Sequence, residues 1–546
     1  MRVTRWAVAT VVVAGLTFAE ATGPAQTSRA VTGSGEVLGN VRFPTSCGET
    51  VQREFNRGVA MLHSFWYEKA EEAFEQALTA DPGCAIAHWG IAMTLYHQLW
   101  EPHVPGDGLV RGATEIRKAK ELGAKTDLEK DLISALEVFY RDADRIDHHT
   151  RVVAYEREMA HVHQAHPSDR EATAFYALAM IATAQDTLPA DLTYAKEKGA
   201  GKLLMEIIAK EPNHPGGIHY LIHAYDNPEL APQALAAARK YAKIAPSIPH
   251  ALHMPGHIFT RLGYWQEDID TNLLSEAAAR QEVGMNNMGL ARQEELHSMD
   301  YLIYAYLQSG RVKEARGILD QLNAVDNRTT EYSFVAAYAI TAIPARYVME
   351  QHKWLEAAKL RPESRFGPAL DAMTTWVGAV GEARSGGASQ ARASIERLEI
   401  LEEQMKKNNP YWAEQVEIQR LGASAWLAHA EGNQEKALSL MKSAADREDA
   451  TQKLPVTPGA ILPEREQYAD LLLETGQPSK AASEYETALK TAPNRFDGLY
   501  GAAKASMAAG NPARASAYYK KLIAFCGQTA AGRPELAEAK AFLQEH

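Results

Sequence analysis

The stretch from Val51 to Pro82, VQREFNRGVAMLHSFWYEKAEEAFEQALTADP, decides the fold, because weaker copies of it recur along the chain. The recurrence has a period near 34 residues: Pro212 and Pro246 are 34 apart, and so are His219 and His253. A fixed period of this length is typical of arrays built from one repeated helical unit. Strand-like alternation of apolar and polar residues is nearly absent, so the sequence predicts an all-α protein.

This stretch resembles a tetratricopeptide repeat, although Glu54 stands where that family usually has an aromatic residue. The residues that match the family pattern are Gly58, Ala70, Phe74, Ala77 and Pro82. Near the other end, the pattern returns at Ala481, Tyr485, Ala488 and Pro493, and again at Ala515 and Tyr519. The resemblance covers most of residues 47–530 and implies a right-handed α-solenoid of helical hairpins, in which small residues let paired helices approach and a large one fills the gap between units.

The size and charge of the chain narrow the possible partners. A chain of 546 residues exceeds what one core usually holds, and 46% hydrophobic with 23% charged residues is ordinary for a folded protein. The formal net charge of −12 repels phosphate backbones, and no Lys/Arg-rich run offsets it locally. Nucleic acid is therefore not an expected partner.

The N-terminus predicts export. Arg2 and Arg5 precede an apolar run from Trp6 to Phe18, and Ala19-Glu20-Ala21 fits a secretory cleavage site. We expect a signal peptide over residues 1–21, a flexible leader over 22–46, a histidine-rich N-terminal half over 47–300 and a C-terminal scaffold half over 301–546. The product would be soluble in the periplasm or outside the cell; an uncleaved N-terminal anchor is the alternative.

Three cysteines occur, and export would place them in an oxidising space. Cys47 and Cys84 precede the first helices of successive repeats. Because such helix starts stack in this family, the resemblance implies that the two can form a disulfide. Cys526 is left over and is expected to be buried.

Two His-x-x-x-His pairs lie in register, His219 with His223 and His253 with His257. Residues four apart are neighbours on a helix surface, so each pair can chelate through one face. In tetratricopeptide proteins these helix positions face the concave groove, and the resemblance therefore places both pairs in one concavity. On the same basis, the following helix adds His297, Asp300 and Tyr304.

This set predicts a transition-metal site. Imidazole without thiolate suits Cu, Zn or Fe, and packed helices are close enough for opposed imidazoles to share an ion. Glu294 and Glu295 are candidate bases if the ion activates water, and Arg261 can reach the groove to hold a carboxylate. A hydrogen-bonded polar core and direct contact with an organic ligand are the alternatives.

A second group of residues gathers near the N-terminal end, where His63 and His97 are again 34 apart. Together with Trp66 and Trp89 they predict an aromatic mouth that could hold an apolar substrate. The simpler explanation is a hydrophobic core whose Trp and His tips reach water.

Three classes of function fit these observations. The first is a metal-dependent enzyme or metal carrier centred on the paired histidines, whose reaction the sequence does not name. The second is a periplasmic scaffold that binds a peptide or protein partner in its groove, and the third is a structural repeat protein. The groove residues are His, Asp and Tyr rather than the Asn, Lys and Arg of peptide-binding grooves, which favours the metal, with a small molecule or peptide as its groove ligand.

Overall fold

In the computed structural model, which describes residues 35–99, 104–284, 289–325, 332–526 and 533–545, every regular element is helical. The first eight helices are α1 (Gln52–His63), α2 (Tyr67–Ala80), α3 (Ala85–Tyr96), α4 (Gly106–Leu122), α5 (Asp127–Tyr140), α6 (His148–Ala165), α7 (Arg170–Gln185) and α8 (Ala195–Lys210). The next six are α9 (Pro215–Ala224), α10 (Ala231–Ile244), α11 (Pro249–His253), α12 (Pro255–Leu262), α13 (Trp265–Gly284) and α14 (Gly289–Gln308).

The remaining helices follow in chain order. They are α15 (Val312–Ala324), α16 (Phe334–Met349), α17 (Trp354–Ala357), α18 (Pro368–Arg384), α19 (Ala388–Met405), α20 (Pro410–Ala430), α21 (Gln434–Asp449), α22 (Glu464–Glu474), α23 (Pro478–Thr491), α24 (Phe496–Ala508), α25 (Pro512–Cys526) and α26 (Pro534–Glu545), with a short 3-10 helix at Ser364–Phe366. Helices adjacent in the chain pack against each other, as an α-solenoid requires.

Phe74 shows how the repeats are spaced. Its ring is fully buried between α1 and α3, and a Cβ added at Gly58 or at Gly90 would lie 2.7 Å from it. At the other end of the array, Tyr485 packs against Gly501 in the same way, at 2.2 Å from a Cβ built there. A large ring facing glycine fixes the helix separation at both ends, which confirms the packing expected from the sequence.

The array also folds back on itself. The start of the chain reaches α9 and α10: His63 O accepts a hydrogen bond from His219 Nδ1 at 2.6 Å, and Tyr241 and Ser64 join their hydroxyls at 3.0 Å. Farther along, Trp265 Nε1 donates to Asn494 O at 2.8 Å. These contacts join repeats that are more than 150 residues apart in the chain.

Cys47 and Cys84 form a disulfide with their Cα atoms 5.1 Å apart, and Cys526 is buried as a free thiol. The signal-peptide segment, residues 1–21, lies outside the described residues. Part of the predicted leader does lie within the described residues. Leu38 and Phe43 are buried there, so the chain is packed before the first helix begins. Within the described ranges, no helix combines the length and the apolar character needed to span a bilayer.

Phe74→Ala tests this packing. We expect the free energy of unfolding to fall by about 3–5 kcal/mol, since the substitution leaves a cavity between α1 and α3. Gln76→Ala, on the exposed face of the same helix, is the control and should change it by no more than about 0.5 kcal/mol. Urea denaturation followed by circular dichroism measures both; equal small effects would show that the ring does not set the repeat spacing.

Candidate metal centre

The paired histidines lie on short helices that begin with proline. Pro215 starts α9 and Pro249 starts α11, each as the first helical residue, where its missing N–H costs nothing. His219 and His223 are one turn apart on α9. His250 precedes His253 by three residues, and His257 follows in α12, so these three share one face of a nearly continuous pair of helices.

The structure sorts six histidines into two sets of three. The first, here the first triad, consists of His219, His223 and His250, and the second triad consists of His253, His257 and His297. In each set every residue offers a ring nitrogen within 4.8 Å of those of the other two. Five of the six side chains are buried and His223 is half-buried.

Distances within the triads suit coordination. In the first triad, His219 Nε2 lies 3.1 Å from His223 Nε2 and 3.2 Å from His250 Nε2. In the second, the Nε2 atoms of His253 and His257 are 3.0 Å apart. Nitrogens bound to one ion at about 2.0 Å in tetrahedral geometry are separated by about 3.3 Å, close to these values.

Oxygen acceptors fix the tautomers of three of these rings. His219 Nδ1 faces His63 O at 2.6 Å, His253 Nδ1 faces Asn272 Oδ1 at 2.7 Å, and His257 Nδ1 faces an Asp226 oxygen at 2.9 Å. Because these oxygens can only accept, each Nδ1 carries the proton, and each neutral ring presents a lone pair at Nε2. This is the outer-shell arrangement that orients histidine ligands of metals.

The lone pairs of His253 and His257 therefore point at each other across 3.0 Å with no proton between them. Burial lowers the pKa of His257, and it lowers the pKa well below the ordinary value in His219, His223, His253 and His297. Protonation of a ring therefore does not relieve this contact. A cation placed between the nitrogens would turn the repulsion into two bonds. In addition, the Nδ1 atoms of His223 and His297 are buried without a hydrogen-bond partner among the described residues.

Asp226 holds one ligand from behind and is itself held by two cations. Burial alone would raise the pKa of Asp226, but Lys453 at 2.7 Å and Arg261 at 2.8 Å, with His257, outweigh it and keep the pKa well below its ordinary value. The carboxylate is therefore charged, which makes His257 more basic. Arg261 thus reaches the site, but its partner is Asp226.

Residues 450–463, here the capping loop, come from the C-terminal half and cover the triads. Besides Lys453, the carbonyls of Pro455 and Thr457 lie 3.5 and 3.4 Å from the Tyr301 hydroxyl, whose ring packs on the second triad. The sequence analysis assigned no residue of this loop to the histidine site. The C-terminal half is therefore more than a scaffold.

Asp300 does not join the histidines. Its two oxygens contact Arg346 at 2.7 and 3.3 Å, and both side chains are fully buried. Arg346 in turn donates to the carbonyls of Gly459 and Ala460, both at 3.1 Å. Asp300 therefore anchors the capping loop through Arg346, and we leave it out of the ligand set.

The other predicted residues take varied places. Glu294 lies 3.3 Å from His250 Nδ1, whereas Glu295 pairs with Arg280 and Arg292 away from the rings. The Tyr304 hydroxyl accepts from Arg495 at 3.1 Å and does not face the triads. Of the six clustered histidines, the sequence analysis omitted only His250, although its spacing of three before His253 was a usable signal.

The residues of the predicted aromatic mouth are buried or half-buried, and His63 has a partner at each ring nitrogen. His63 Nε2 lies 2.6 Å from Glu171, which also contacts His214 at 3.2 Å, and His63 Nδ1 lies 2.9 Å from the Tyr220 hydroxyl. The ligand atoms of His63, Glu171 and His214 are close enough to hold one ion, but the ring nitrogens of the two histidines already have hydrogen-bond partners. Elsewhere in the mouth, Trp89 is buried, Trp66 is half-buried just before α2, and His97 stacks on Tyr67 with centroids 4.3 Å apart.

Comparison with known proteins identifies the repeats. Models of the tetratricopeptide repeat match residues 55–84 and 472–528. No curated protein matches the chain. Among solved structures, a tetratricopeptide repeat protein from Parabacteroides merdae is 12% identical and aligns over 65% of this chain and 98% of its own, with a TM-score of 0.25. A score this low carries no argument about the arrangement of the helices or about function.

Asp300→Asn tests the anchoring role. We expect it to lower the free energy of unfolding by about 3–5 kcal/mol, because it leaves the Arg346 guanidinium buried without a counter-charge. The control is Asp320→Asn, which removes an exposed pair with Arg316 and should cost less than about 1 kcal/mol. Thermal and urea unfolding distinguish the two variants; a cost for Asp300→Asn no larger than that of the control would refute the anchoring role.

Proposed function

We propose that this chain, which belongs to the tetratricopeptide repeat family, binds transition-metal ions through the six histidines of its two triads. The family assigns a fold, and the fold alone names no reaction. The observation that carries the proposal is the contact between His253 and His257, whose Nε2 lone pairs face each other at 3.0 Å while oxygen acceptors hold both Nδ1 protons. A cation between these two nitrogens would replace the repulsion with two bonds, which is why this contact supports metal binding.

The donor set favours copper or zinc over iron. Each triad offers three imidazoles and no thiolate, and the carboxylates nearest the rings, Asp226 and Glu294, contact the Nδ1 atoms of His257 and His250 rather than joining the converging nitrogens. Iron sites usually include a carboxylate ligand. Among divalent first-row ions, imidazole sites bind copper most strongly.

We also propose that the protein is exported. The predicted signal peptide at residues 1–21 motivates this proposal, and the disulfide between Cys47 and Cys84 supports it, because disulfides persist mainly in oxidising compartments. A peptide-binding scaffold is the weaker candidate: the capping loop and the burial of the triads leave these groove positions covered, so a peptide would first have to displace residues 450–463.

Metal analysis of untagged protein tests the main proposal. We expect at least one equivalent of copper or zinc per chain after loading and extensive dialysis, measured by inductively coupled plasma mass spectrometry. The double variant His253→Ala/His257→Ala should lose metal from the second triad, because two of its three ligands are gone.

His161→Ala is the matched control, since His161 is exposed and pairs with Glu158 on its own helix. Its metal content should equal that of the unmodified chain. Metal content below about a tenth of an equivalent in the unmodified protein, or the same content in the double variant, would reject the site.

A further inference from the structure

A small cavity, here called the void, is lined by members of both triads. Its walls include His223 and His250 from the first triad and His297 from the second, closed by Phe65 and by Leu454 and Val456 of the capping loop. Its volume is about 40 Å³. A cavity needs roughly 10–15 Å³ of such volume to hold one water, so the void has room for a ligand of a few heavy atoms.

The two triads are direct neighbours. Rings of different triads are in contact twice: His223 and His257 have centroids 5.8 Å apart, and His250 and His253 have centroids 6.1 Å apart. Among the residues that the structure describes, the carboxylates nearest the rings, Asp226 and Glu294, face the outer Nδ1 atoms and do not lie between the two sets. Two cations this close repel unless an anion lies between them.

Each triad also leaves room for a further ligand. Three imidazoles occupy three positions around an ion that prefers four or more, and the open position is where exogenous ligands bind. Because the void borders both triads, a single small ligand in it can complete both coordination spheres.

We infer that the six histidines hold two copper ions as one coupled pair, bridged by a small anion such as hydroxide in the void that both triads line. This inference rests on the proposed metal binding and adds the number of ions, their arrangement and the class of ligand that lies between them. Copper is chosen because three neutral imidazoles per ion, without thiolate or carboxylate, form a donor set in which it binds more strongly than the other divalent ions.

A larger cavity provides a route to this void. It has a volume of about 480 Å³ and includes Leu188, Pro189 and Tyr411 in its walls. Both spaces share Gln185, His223, Leu454 and Pro455 as lining residues, so the two cavities adjoin at these residues. A small ligand that enters the larger cavity therefore reaches the edge of the void.

Electron paramagnetic resonance of the copper-loaded protein tests the coupling. Two Cu(II) ions joined by a bridging anion couple their unpaired spins and lose their signal, whereas isolated Cu(II) keeps it. We expect two equivalents of copper per chain and an integrated signal below about a tenth of the copper present. His253→Ala/His297→Ala should retain one equivalent with its full signal, and His161→Ala should behave as the unmodified chain.

A second variant examines the void without removing a ligand. Val456→Phe fills it with a larger side chain, and residue 456 lies in a loop rather than in a helix core. We expect this variant to hold the second copper ion less tightly than the unmodified chain, because no anion then offsets the repulsion, and the copper that stays bound to show a restored signal. Azide added to the unmodified protein should shift its visible absorption with a stoichiometry of one per copper pair, and the same titration of Val456→Phe should give no shift.

The outcomes separate the two proposals. Two equivalents of copper with full signal, or a single equivalent, would overturn the coupled pair and leave metal binding intact. An azide stoichiometry of two, or an azide shift unchanged in Val456→Phe, would also overturn the shared ligand. Copper and zinc both below about a tenth of an equivalent would reject both proposals.

Discussion

The hydrogen bonds behind the histidine rings determine what the site can do. In three of the rings, Nδ1 donates a hydrogen bond to an oxygen that can only accept: these are His219, His253 and His257. The fold, and not a ligand, therefore fixes the position of the proton in each ring. Asn272 is itself oriented, because its amide nitrogen donates to Asp268. With the protons held outside, the lone pairs converge in a buried space where charge cannot be dispersed into water.

That arrangement requires both halves of the solenoid. One acceptor, the carbonyl of His63, comes from the first helix of the array, while Lys453 and the carbonyls that contact Tyr301 come from a loop near its end. The folded-back array brings these segments to α9, α11 and α12. Buried pairs such as Arg346 with Asp300 are costly to desolvate, and their place beneath the capping loop is consistent with a role in fixing its position.

The sequence predicted the repeats and most of the histidines because a 34-residue period carries both. Gly58 and Phe74 indicated the helix packing, and the two His-x-x-x-His pairs indicated one shared face. It could not predict the division into two triads, which depends on His250 and on the break between α11 and α12 at Met254. Nor could it place Asp300, because the partner that captures this carboxylate, Arg346, lies 46 residues away in a helix whose packing no local pattern encodes.

X-ray absorption at the edge of the bound metal is the most direct measurement of the central claim. The account predicts about three nitrogen neighbours per ion at about 2.0 Å, with the outer-shell scattering characteristic of imidazole rings. A first shell made of sulfur, or of oxygen without imidazole scattering, would contradict it.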